Sequence, residues 1–364
     1  MLCQRRVLHS VAALGLALLA VPTASAVERL SLSHVRQVAG HPPEVRVYLD
    51  ATDDDGEPLR GLEVSGLQAT LGSEQAQVRT LEPFEKTGEG IAYIFLVDVS
   101  RSLTEEQFSG IRDALEAWIL DFTPEDWGAV IAFGETSRLV VDFTSDWREL
   151  RNGLDTLGPT DNLTLFHQAL DDAIELSLRR DPGMPGRRVA VVLTDGLDEG
   201  SGLTLDDVLA RLREHPLPIH AIGYSRIKPE ARRQEYLDVL QRLASNSGGT
   251  FFEAQQTDFA ESYAAIRRAI RRVWVADVVC PTCEADGRVY RLQTNLSFGN
   301  RVLSRGTDLR LLPTAAPAAE PVATPDADGE QPVSPPPSSE AGEEEASSTV
   351  GVGAAPQRPP GGGA

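Results

Sequence analysis

The chain has 364 residues, and 54 acidic against 34 basic side chains leave it a formal net charge of −20. That balance lacks the basic footprint a duplex-binding protein needs and opposes an anionic membrane surface, whereas divalent cations and basic partners suit it. A hydrophobic share of 41% supports a sizeable core, and the length suggests two domains.

Residues 1–26 read as a secretory signal peptide: Arg5 and Arg6 form a positive start, Val11 to Val21 is an apolar run too short to span a bilayer, and Ala24-Ser25-Ala26 is a small-residue cleavage pattern. An uncleaved anchor is the alternative. Cleavage would remove Cys3 and leave Cys280 and Cys283 in an oxidising compartment. No later segment is apolar enough to span, so no transmembrane segment is expected after cleavage.

Residues 27–87 carry short alternating runs. Val45, Val47 and Leu49 predict a half-buried strand, Asp53-Asp54-Asp55-Gly56 a hairpin turn, and Gln75 to Leu81 a second strand. The acidic turn lacks the further ligands and the closing Glu of an EF-hand loop.

Over residues 88–272 strands alternate with helices. Ile91 to Val97 is a continuous apolar run, as in a strand buried on both faces. Phe108, Ile111, Leu115, Trp118 and Phe122 recur at helical spacing behind a Thr104–Gln107 capping box. Further strands are expected at Ala129–Phe133, Leu139–Phe143 (a candidate edge), Val189–Leu193, Ile219–Ile222 and Thr250–Phe252. Helices are expected around Phe166–Ile174, Leu205–Arg213, Glu230–Leu243 and Phe259–Ile270. This alternation predicts a doubly wound, mostly parallel six-stranded sheet whose ligands bind beyond the carboxyl ends of the strands. Residues 273–313 return to strand patterns at Val273–Val279, Val289–Leu296 and Val302–Leu312. Too few for a domain of their own, they are expected to pair with residues 27–87 as a small flanking β-sandwich built from both ends of the chain. Residues 314–364 hold ten of the 24 prolines, eight acids, one base (Arg358) and no aromatic residue, the composition of a disordered acidic tail.

Chemistry is therefore sought at the strand ends. The first buried strand ends in Asp98-Val99-Ser100-Arg101-Ser102, the fourth in Thr194-Asp195-Gly196, and Thr164 stands just before a helix. Two carboxylates and three hydroxyls form an all-oxygen donor set, which suits a hard divalent cation and does not resemble a zinc site. Taken singly, Ser100 and Ser102 also fit helix capping, and Asp195 fits a turn.

Asp98, Ser100 and Ser102 match the DxSxS motif of von Willebrand factor type A domains. Thr164 with Leu165 to Leu170 resembles that family's T-x-x-x-x-A-L pattern, and Asp195 its second aspartate. Ala221-Ile222-Gly223 resembles its fifth strand, Ser247-Gly248-Gly249 the turn before its last, and the resemblance covers about residues 88–275. It implies a metal-ion-dependent adhesion site (MIDAS) at Asp98, Ser100, Ser102, Thr164 and Asp195, holding Mg²⁺, with Mn²⁺ or Ca²⁺ as alternatives. The carboxylate of an Asp or Glu on a protein partner would complete the ion's sphere. Arg101, Asn162 and His167 are candidates for the partner-binding rim. Arg101 departs from the family, where Gly is often found, and its guanidinium either repels the cation or meets a second carboxylate of the partner.

Cys280-Pro281-Thr282-Cys283 falls between strand patterns, which favours a local disulfide in an exported protein over a redox CxxC at a helix start. No nucleotide-binding glycine loop and no arguable Ser-His-Asp order occur. The expected function is a non-enzymatic adhesion or scaffold module, exported to the periplasm or cell surface. An accessory subunit of an envelope transport or channel-like complex is the alternative, and a thiol oxidoreductase a third reading.

Overall fold

A computed structural model describes residues 29–38, 40–53, 57–200, 202–224, 230–254 and 259–313. The expected signal peptide, the acidic tail, and Asp54, Asp55 and Gly56 of the acidic turn lie outside the described residues. Thirteen strands and six α-helices are described, in two sheets.

Four strands precede the α/β part: β1 (Arg29–Val38), β2 (Glu44–Thr52), β3 (Leu67–Leu71) and β4 (Glu74–Pro83). There follow β5 (Ile91–Asp98), α1 (Glu105–Leu120), β6 (Trp127–Phe133), β7 (Ser137–Thr144), α2 (Trp147–Asp155), α3 (Phe166–Ser177) and β8 (Arg187–Thr194). After these come α4 (Leu205–Glu214), β9 (Ile219–Gly223), α5 (Glu230–Ser247), β10 (Phe251–Glu253) and α6 (Phe259–Arg271). Strands β11 (Trp274–Val279), β12 (Val289–Phe298) and β13 (Arg301–Arg310) close the series.

The six-stranded sheet has the order β10-β9-β8-β5-β6-β7. All neighbours are parallel except the edge strand β7, which pairs antiparallel with β6. Central β5 feeds two cores by turns. Ile91, Tyr93, Phe95 and Val97 pack under α1, α2 and α6, while Ala92, Ile94 and Leu96 pack under α3, α4 and α5. That is why the run carries no polar alternation. The Thr104–Gln107 box caps α1. Helix α2 was not anticipated from the sequence.

The other sheet is antiparallel throughout, in the order β1-β2-β11-β4-β3-β12-β13. The N- and C-terminal segments do interleave. They form one curled, nearly closed sheet, which bears out the small flanking β-sandwich expected from the sequence only in part. The edge strands β1 and β13 come alongside one another. At that seam the Gln37 amide donates to the Leu312 carbonyl at 2.9 Å and accepts from the Leu312 N–H at 2.8 Å. Leu49, Trp274, Val278, Leu292 and Leu296 fill the inside of the curl. Trp274 also donates its indole N–H to the Leu59 carbonyl at 2.9 Å.

The two sheets meet around Arg187, the first residue of β8, which is 1% exposed. Its guanidinium lies 4.7 Å from the Tyr48 ring centre and 4.4 Å from that of Phe84, and donates to the Ile270 carbonyl at 2.7 Å. Beside it the Tyr48 hydroxyl accepts from Arg36 at 3.0 Å and donates to Glu89 at 2.7 Å. Glu89 in turn pairs with Arg36 and Arg46. Cys280 and Cys283 are joined by a disulfide after β11, and both are buried. No described helix starts there, unlike the setting of a redox CxxC.

β11 hydrogen-bonds β2 on one side and β4 on the other. Deleting residues 273–313 is therefore expected to abolish folding of 29–83, read as loss of far-ultraviolet β signal and protease resistance. A segment 29–83 that stays folded would contradict this pairing. The milder Trp274→Ala should cost about 3–5 kcal/mol in urea unfolding.

Candidate functional site

The carboxyl ends of parallel β5 and β8 bring Asp98 and Thr194-Asp195 to one edge of the sheet. Asp98 is 2% exposed. Its Oδ1 accepts from the Ser100 N–H at 2.9 Å, and its Oδ2 from the Thr194 hydroxyl at 2.8 Å. These bonds hold both oxygens in place without supplying a positive charge. The Ser100 and Ser102 hydroxyls lie 2.8 Å apart and bond to each other. Because Thr104 caps α1, neither serine is spent as its cap.

Asp195 Oδ1 accepts from the Leu197 N–H at 3.1 Å, so the residue also serves the turn. Gly196 makes that turn possible. Its φ is +82°, and a Cβ there would sit 2.6 Å from the Tyr236 carbonyl oxygen.

Thr164 is 2% exposed and is tied to the neighbouring loop by its carbonyl, which accepts from the Glu199 N–H at 2.8 Å. No side chain within α3 caps that helix. The carboxylate of Asp198 takes the His167 N–H at 2.8 Å instead, so the Thr164 hydroxyl is not used as a cap. Ser100 and Asp161 form a short parallel bridge: Arg101 N–H donates to the Asp161 carbonyl at 2.8 Å, and Asp161 N–H to the Val99 carbonyl at 3.0 Å. The three loops after β5, before α3 and after β8 are thereby laced together.

Arg101 and Asn162 are both exposed. Arg101 Nη1 donates to Asn162 Oδ1 at 2.7 Å, and the Asn162 N–H and Nδ2 both donate to Glu135 Oε1, at 3.1 and 3.0 Å. His167, grouped with the rim from sequence, is turned inward. Its side chain is 12% exposed, with Nδ1 2.9 Å from the Leu203 carbonyl and 3.5 Å from Asp198. Sequence reasoning missed Glu135, Asp161, Asp198 and Glu199, all in loops without periodicity. The one usable signal was Gly134, where a Cβ would lie 2.4 Å from the Asp161 carboxylate.

Burial pushes the Asp98 carboxyl up to about 6, against its hydrogen bonds to Ser100 and Thr194, and the Asp195 charge adds to the rise. Asp195 is also raised, by burial first and then by the charge of Glu199. Both carboxyls are thus held up by burial and by a neighbouring negative charge, Asp195 for Asp98 and Glu199 for Asp195, and among the described residues no cationic side chain pairs with either. All the donors are oxygens. A hard dication fits such a set, since it supplies the missing charge and takes hydroxyl and carboxylate ligands.

The sequence model of the von Willebrand factor type A domain family matches residues 94–265. A search of curated protein sequences finds no match. Among solved structures, similarity extends to an aerotolerance-related membrane protein from Bacteroides fragilis, with 16% identity over 50% of this chain and 98% of that one and a TM-score of 0.39. A von Willebrand factor type A protein from Catenulispora acidiphila shows 13% identity over 80% and 75%, with a TM-score of 0.42. The corresponding domain of the type V pili tip protein Mfa5 from Porphyromonas gingivalis shows 12% identity over 50% and 95%, with a TM-score of 0.41.

With its carboxyl held near 6, folded Asp98 takes up its proton at higher pH than the unfolded chain does. Metal-free protein in EDTA is therefore expected to lose stability as pH rises from about 4 to about 6, by something on the order of 3 kcal/mol. Asp195 contributes in the same direction. Asp98→Asn should flatten that window in urea titrations; a slope surviving the substitution would belong to another group.

Proposed function

Residues 94–265 are a von Willebrand factor type A domain, and from that premise we propose that the chain is an exported, non-enzymatic module that captures a protein partner through a divalent cation. Domains of this family are generally binding modules. The observation that carries the reading is the pair of buried carboxylates, Asp98 and Asp195, brought together by adjacent parallel strands and left without a cationic side chain among the described residues. Asp98, Ser100, Ser102, Thr164 and Asp195 are the residues that would hold the ion, with Mg²⁺ the best match to oxygen donors and Mn²⁺ or Ca²⁺ the alternatives. A bound dication would offer positive charge to a carboxylate of an Asp or Glu on the partner.

The protein's own part is preorganisation. The Ser100 N–H and the Thr194 hydroxyl fix both oxygens of Asp98, and the lacing of the three loops holds the hydroxyls in place before any ligand arrives. Export is supported by the signal-like residues 1–26 and by the Cys280–Cys283 disulfide. No described helix is long and apolar enough to cross a membrane. The periplasm or the cell surface, with an adhesive or scaffolding role, is the setting these features suit.

Titration calorimetry with MgCl₂ should show one site in the wild type and none in the Asp98→Ala/Asp195→Ala double variant. Affinity should fall as pH drops below about 6, where Asp98 takes up a proton. Pull-downs from the source organism should lose the partner in EDTA and regain it on adding Mg²⁺. Metal binding that survives the double substitution would refute the assignment.

A further inference from the structure

Resting on the metal-site reading above, we infer that this site selects partners presenting two acidic side chains, one for the cation and a second, one to three residues away, for the guanidinium of Arg101. Arg101 stands between Ser100 and Ser102, one Cα step of about 3.8 Å from each. Whatever binds at the serines therefore comes close to the base of this side chain.

Three observations make Arg101 more than a surface charge. Its backbone is clamped, since its N–H is held by the Asp161 carbonyl while the Asp161 N–H is held by Val99. The clamp is stiffened from behind. The Asp161 carboxylate accepts from the Glu135 N–H at 2.9 Å and from the Thr160 hydroxyl at 2.8 Å, against Gly134, which leaves no room for a Cβ.

Its guanidinium is also steered. Nη1 donates to Asn162 Oδ1, and Asn162 is itself held twice by Glu135. The ordering entropy that usually cancels the gain from a surface ion pair is thus largely spent before a partner arrives.

Finally, among the described residues no carboxylate forms an ion pair with it. Arg36, Arg46, Arg179, Arg211 and Arg271 each pair with a carboxylate. Among the described residues, the hydrogen bond of the Arg101 guanidinium goes to a neutral amide oxygen. A guanidinium carries five N–H donors in a planar fork that matches a carboxylate edge to edge.

The placement settles which of two opposite effects dominates. A guanidinium beside a dication costs energy by repulsion, and a single partner carboxylate bound to the metal leaves that cost in place. A second carboxylate relieves it and gains charge-assisted hydrogen bonds. In an extended peptide, side chains two residues apart share a face and lie about 6.6 Å apart, so an acid–x–acid segment spans the two positions. A lysine would keep the charge but lose the fork.

The test is a random dodecapeptide library selected in MgCl₂ on the full chain and, in parallel, on the Arg101→Gln chain, with elution by EDTA. Wild-type eluates should be enriched in Asp or Glu pairs spaced one to three residues apart. Arg101→Gln should still yield EDTA-released peptides bearing a single acid, without the pairing. A synthetic two-acid peptide from the wild-type pool should bind the wild type about tenfold more tightly than its single-acid version. That ratio should collapse in Arg101→Gln and return only in part in Arg101→Lys. Identical pair enrichment with both proteins, or single-acid peptides alone from the wild type, would overturn this inference and leave the metal site standing. An absence of EDTA-released peptides from the wild type would overturn both.

Discussion

The architecture depends on one strand being claimed from both sides. β11 follows directly on the α/β part, yet it lies between β2 and β4, which precede that part in the chain. The curled sheet therefore cannot be completed until everything from β5 to α6 has been made and folded back. Conversely, the α/β part has both of its ends anchored in one sheet. Arg187 seals the joint. Burying a guanidinium is expensive, but here it is bedded between two aromatic faces and hydrogen-bonded to the end of α6. The polar chain Arg36–Tyr48–Glu89–Arg46–Asp277 runs beside it.

At the opposite edge of the parallel sheet the problem is reversed. There the fold must hold carboxylates that water would otherwise solvate, and it must do so with loops. The solution is backbone lacing: Asp161 to Val99 and Arg101, Glu199 to Thr164, and the Asp198 carboxylate on the first turn of α3. Each bond satisfies a group that a loop would otherwise leave to solvent, and together they hold loops whose side chains lie up to 97 residues apart along the chain, from Asp98 to Asp195. Rigidity in the loops substitutes for the regular structure that the site cannot have.

Much of this was legible in the sequence, for reasons that differ by element. β5 was plain because each residue from Ile91 to Val97 enters one of two cores, so the run is apolar without interruption up to Asp98. The five oxygen-bearing residues of the candidate site were singled out because strand ends and a shared motif marked them. Helix α2 escaped because it buries only Leu150 and Leu154 among charged neighbours, too short a stripe to register a period. The curl of the flanking sheet escaped because its closure rests on the Gln37 side chain and the Leu312 backbone, a contact that no alternation pattern encodes. Arg187 escaped because two consecutive arginines at a strand start read as surface, whereas both are buried and the tertiary approach of Tyr48 and Phe84 beds the first of them between aromatic faces. The loop acids Asp161, Asp198 and Glu199 act through their position relative to one another, which is a property of three dimensions alone.

The bed beneath Arg187 also bears on how this molecule can be divided. An excised fragment trimmed to the family-matched span would shed Tyr48 and Phe84 and leave a guanidinium facing solvent through a hole in its own floor, beside an apolar surface that nothing covers. On these contacts the smallest piece expected to stand alone is larger than the recognisable one. Whoever clones this chain in parts will do better to keep its first strand and its last together and to prune only what lies outside them.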